Sequence, residues 1–135
     1  MCRLMSASGQ MPPSLNDIER LARAALDRLP EPFAEHLAGV LLIVEDFAED
    51  RILAEMVIES PFDLSGLYSG RPIGEPAQTG DVPATIHLYR RPILDEWCET
   101  GEALDHLVAH VVVHEVGHHF GLSDADMHVL EAAVS

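Results

Sequence analysis

Residues 102–128 read EALDHLVAHVVVHEVGHHFGLSDADMH, and their spacing decides how the chain folds. Leu104, Leu107, Val108, Val111, Val112 and Phe120 recur at intervals of three and four, which predicts a long helix with an apolar stripe. Gly121 follows the last residue of that stripe, at the position where helices end in a left-handed turn. Ser123 and Asp126 then repeat the capping-box spacing, so a final helix is expected, ending near Val134.

On the long helix His114 and His118 lie about 40° apart and one turn along, so both imidazoles reach one tetrahedral ion at about 2.0–2.1 Å. Glu115 flanks them. From there a carboxylate takes a proton from water activated by the ion without occupying the ion itself, the division of labour in an HExxH site. A shuffled chain of this composition contains HExxH about 4% of the time, whereas adding Gly121 and Asp124 to give HExxHxxGxxD lowers the odds to roughly two in ten thousand. The extended pattern therefore carries the weight. Its physical sense is that the glycine turn reverses the chain and brings a residue three positions later back toward the ion.

His106, His110, His114 and His118 form a ladder at spacing four, and any adjacent pair has chelating geometry. Three in a row do not, because eight residues of helix span about 12 Å. Only the 114/118 pair has both the glutamate and the glycine turn, so His106 and His110 are expected to be partly buried or surface residues and His119 to be structural. Asp124 is the favoured third ligand, ahead of His128 one turn further on; Asp124 also suits the first turn of a helix. Gly117 weakens the helix by about 1 kcal/mol relative to alanine, which predicts a close backbone approach by another element.

The whole chain has 135 residues, 47% of them hydrophobic, and a formal net charge of -15. One domain over residues 14–135 is expected, preceded by a disordered leader over residues 1–13. So acidic a surface repels phosphate backbones and anionic lipid, which excludes nucleic acid and membranes as partners and favours a basic substrate. Two cysteines, Cys2 and Cys98, form no framework of disulfides, and no stretch approaches a membrane span, so a cytoplasmic protein is expected.

Ser14 and Asp17 cap a first helix with Ile18, Leu21, Ala22, Ala25, Leu26 and Leu29 on one face. PFAEHLAG, residues 32–39, adds a short helical turn. VLLIV, residues 40–44, reads as a central strand buried on both faces. EDFAED, residues 45–50, reads as a solvated loop or helix start, and RILAEMVIE, residues 51–59, suits helix or strand. The Gly- and Pro-rich residues 60–83 form a long loop bordering a cleft, with a short strand at GLYSG. ATIHLYRRPI, residues 84–93, reads as a strand whose far end Pro92 places at a sheet edge. That edge is expected to pair with an extended substrate, with Tyr89 and Arg91 as candidate oxyanion donors and surface roles as the alternative.

LYSG (67–70), HLYRRPIL (87–94) and VVHEVGHHFGLSD (112–124), with the leading helix and the VLLIVED strand, resemble the small prokaryotic zincin-like metallopeptidases called minimal zincins. The resemblance covers about residues 14–131. It implies an α+β domain, a small twisted mixed sheet packed on the HExxH helix. It also implies zinc held at His114, His118 and Asp124, with Glu115 as general base. The sequence shows no Met-turn of the metzincin kind, since seven residues follow His128, and short, loosely held substrates are expected. The leading function is hydrolysis of a peptide or other amide bond. The alternatives are a non-catalytic, zinc-stabilised interaction module and a deformylase-like hydrolase using Cys98. A protein partner completing the cleft is compatible with the first two.

Overall fold

A computed structural model describes residues 11–31, 33–37, 39–70 and 83–134. Most of the expected leader, and residues 71–82 of the expected long loop, lie outside these. The element order is α1 (Leu15–Asp27), α2 (Phe33–His36), β1 (Leu41–Glu45), α3 (Asp50–Glu55), a 3-10 turn (Pro61–Asp63), β2 (Gly66–Ser69), β3 (Thr85–Tyr89), α4 (Arg90–Thr100), α5 (Leu104–Phe120) and α6 (Asp124–Val134). The fold is α+β, with a three-stranded mixed sheet among the described residues.

Local chemistry explains the helix starts. The Ser14 Oγ accepts from the Asp17 N–H at 3.1 Å and Asp17 accepts from the Ser14 N–H at 2.8 Å, closing both halves of a capping box on α1. Ile18, Ala22, Ala25 and Leu29 are then buried, as the stripe predicts. Helix α5 is more deeply set than its stripe implies: Ala109, Val113 and Val116 are buried as well as Leu107, Val108, Val111 and Val112. It occupies the middle of the molecule, packed against α1, β2, β3, α4 and α6. Ile86 and Leu88 of β3 point into the core shared by α1, α5 and α6. Tyr89 joins a smaller cluster with Ala48, Leu53 and Leu64.

The sheet order is β1-β3-β2, with β1 parallel and β2 antiparallel to β3. This corrects two expectations. VLLIV is an edge strand, not a central one, and Leu41 and Ile43 are 49% and 40% exposed; an unbroken apolar run reports hydrophobicity but not how many neighbours the strand has. The strand in ATIHLYRRPI ends at Tyr89 and is hydrogen-bonded on both sides, so it offers no edge to a substrate. Pro92 lies in the first turn of α4, where its missing N–H has no helical partner to lose. The short strand at GLYSG is β2, which pairs with the other side of β3. RILAEMVIE resolves into α3 and a turn in which Val57 takes φ 56°.

Cys98, in α4, is disulfide-bonded, contrary to the expectation of unpaired cysteines, and its partner lies outside the described residues. This removes the thiol-based reason for a reducing compartment. No helix among the described residues is long and apolar enough to cross a membrane.

Candidate active site

The end of α5 is built by a Schellman turn. Gly121 sits at φ 66°, ψ 33°, with its N–H on the His118 carbonyl at 3.3 Å, and the Leu122 N–H reaches the Gly117 carbonyl at 2.8 Å. That pair of bonds satisfies carbonyls the helix leaves open and reverses the chain within a few residues. Ser123 then accepts from the Asp126 N–H at 3.2 Å, so α6 begins at Asp124 and returns along α5. The return is close. A Cβ on Gly117 would stand 2.6 Å from Met127 Cγ and closer still to its sulfur, which is the tight approach the sequence predicted.

Two helical turns of α5 face a cleft of about 300 Å³ lined by Asp63, Leu64, Ser65, Gly66, Glu96, His110, Val111, His114 and Glu115. Gly66 lets β2 close on the helix, since a Cβ there would lie 2.7 Å from Val111 Cγ1 and 3.4 Å from Glu115 Cγ. Glu115 is consequently 6% exposed. Its Oε1 stands at ion-pair distance, 3.2 Å, from His118 Nδ1, and no other donor reaches that oxygen among the described residues. Burial raises the Glu115 pKa above its ordinary 4.5, while the His118 charge and the hydrogen bond from the Tyr68 backbone N–H act in the opposite direction. A carboxyl of this kind is poised to exchange a proton closer to neutrality than a solvated glutamate.

The residues singled out by the sequence fall into two groups. His114 and Glu115 line the cleft together, whereas the His118 side chain is 55% exposed and turned toward Glu115. Asp124, the first residue of α6, and His128, one turn later, are both exposed. Among the described residues no three His, Cys, Asp or Glu side chains converge to hold a metal ion. The chemistry of the donors still fits zinc: two imidazoles one turn apart and, between them in sequence, a buried carboxylate. What the structure lacks is a third donor drawn into the same group.

Other expected residues take different places. Tyr89 is fully buried, and the Arg91 guanidinium lies over the Phe47 ring at 5.6 Å, which removes both from the oxyanion role. The disulfide at Cys98 withdraws the thiolate that a deformylase-like site requires. His119 is buried and bonded through Nδ1 to the Tyr68 hydroxyl at 2.9 Å, tying the end of α5 to β2. His106 is exposed. His110, expected to be partly buried or at the surface, is partly buried and lines the cleft, with its ring centroid 5.0 Å from that of His114 and its Nδ1 2.6 Å from Glu131 Oε1. Its place in the ladder gave the signal, but the carboxylate that orients it comes from α6. Asp63 and Glu96, acids that line the cleft from the 3-10 turn and α4, were not singled out either; no spacing rule connects them to the HExxH helix.

An HExxH helix backed by a small mixed sheet defines a zincin-like protein. Over residues 37–133 the chain matches the family model for zincin-like metallopeptidases, and it belongs to that family. No curated protein matches it.

Proposed function

We propose that this protein is a zinc-dependent peptidase that hydrolyses peptide bonds, with Glu115 as general base and with His114, His118 and Asp124 as the residues that would hold the metal. The observation that carries this reading is the buried Glu115 carboxylate on the wall of the cleft beside His114, whose Oε1 meets only the half-exposed imidazole of His118. Burying a carboxylate oxygen with so few donors costs on the order of 1–3 kcal/mol. A structural glutamate would not be kept there at that cost. When bound, zinc supplies Lewis acidity, polarising a carbonyl and making water nucleophilic near neutral pH.

Glu115 accepts a proton from the attacking water at Oε1 and delivers it to the departing amine. Its raised pKa suits both transfers. Strand β2 runs beside Glu115, and an extended substrate would lie along it, the role first expected of ATIHLYRRPI. Helix α6, turned back by Gly121, would bring the third donor.

The test is Glu115→Gln with metal analysis alongside. The peptidase reading expects stoichiometric zinc in the variant and turnover reduced at least a hundredfold on a peptide library. Unchanged biological activity in that variant would instead support the zinc-stabilised interaction module, which needs no base. Metal content after Asp124→Ala and His128→Ala distinguishes the two candidates for the third donor.

A further inference from the structure

Resting on the peptidase reading, we infer that the cleft beside Glu115 is a specificity pocket for a cationic side chain, lysine or arginine, adjoining the bond to be cut. Its walls come from separate parts of the fold: Asp63 from the 3-10 turn, Glu96 from α4, and His110, His114 and Glu115 from α5. The side chains of Asp63 and Glu96 carry no ion pair or hydrogen bond among the described residues. The cationic form of His110 is answered by Glu131 at 2.6 Å. The Glu115 carboxylate has His118 at 3.2 Å, so the cleft carboxylates without a cationic partner among the described residues are Asp63 and Glu96.

Size points the same way. A cleft of about 300 Å³ is at the lower limit for small-molecule sites, which run from about 300 to 1,000 Å³, and suits one long side chain. Two acids on different walls match the planar fork of a guanidinium or the three donors of an ammonium. Gly66, at the start of β2, lines the cleft too, so a chain extended past Gly66 passes the pocket mouth. The overall charge of -15 draws cationic peptides toward it and repels acidic ones.

Digestion of a positional-scanning peptide library by the zinc-loaded protein, read by mass spectrometry, tests this. The expected result is enrichment of Lys and Arg at one position next to the cleaved bond. In Asp63→Asn/Glu96→Gln the enrichment disappears, KM for an arginine peptide rises about tenfold and kcat is little changed, as for loss of a partly exposed charged contact. Cleavage without that preference, or a preference that survives the double variant, overturns the pocket and leaves the peptidase reading standing. If nothing is cleaved, the peptidase reading fails, and binding decides the pocket: calorimetry with Gly-Gly-Arg-Gly-Gly against the same peptide bearing uncharged citrulline. Tighter binding of the arginine peptide, abolished in the double variant, supports the pocket; equal binding refutes it.

Discussion

At the scale of single residues, the absence of a side chain at Gly117 matters as much as the presence of one at Glu115. Adding a methyl group there drives it into Met127, which costs about 1–3 kcal/mol, against about 1 kcal/mol gained in helix propensity. Gly117→Ala is expected to lower stability by about 1 kcal/mol, seen as a lower urea midpoint at constant slope; a higher midpoint would mean that Met127 moves aside freely. Tyr89 offers the opposite case. Its hydroxyl is buried without a hydrogen-bond partner, so Tyr89→Phe should leave stability near neutral pH equal or improved. Burial, with the Glu45, Glu49 and Glu115 carboxylates, pushes the phenol up to about 12 from 10.0. The folded protein therefore holds a proton that the unfolded chain releases, and stability from this group is lost as pH rises from 10 toward 12. Melting curves should show the phenylalanine variant losing less over that interval.

Among the elements, α5 and α6 form the unit on which the candidate site depends, and the hinge between them is backbone chemistry. No atom lies within 4 Å of a Cβ placed on Gly121, and its φ is 66°. Gly121→Ala should therefore destabilise by about 1 kcal/mol through left-handed strain alone, and Gly121→Asn by less, since asparagine tolerates that conformation better. Equal melting temperatures for all three proteins would contradict this. Helix starts and ends of this kind were legible in the sequence because their determinants lie within four residues of one another. Ser14 with Asp17, Ser123 with Asp126, and Gly121 all take the predicted places. Strand order was not legible: Leu41 and Ile43 are as apolar as any central strand residue, and only pairing with β3 on one side makes β1 an edge.

At the scale of the whole molecule, the described core is built of apolar side chains from several elements. Ile18, Ile86, Leu88, Val108, Val112 and Val116 are all fully buried, and the residues joining α1, α5, α6 and the sheet are apolar. Removing zinc with a chelator should consequently leave the far-ultraviolet dichroism unchanged. It should still lower the melting temperature, by an amount that grows with the free zinc in the reference sample, because an ion bound only to the native state adds stability by mass action. Loss of helical signal on chelation would show instead that the ion organises the fold.

By itself the sequence determined the capped helices, the pairing of His114 with His118 one turn apart, the glutamate beside them and the glycine reversal beyond, since each follows from the pitch of a helix and the backbone freedom of one residue. Tertiary structure alone decided that Glu115 is buried beneath Gly66, that His110 turns to Glu131, and that Asp63 and Glu96 face the same cleft. Those relations join residues dozens of positions apart, and they arise from how α5 packs against its neighbours.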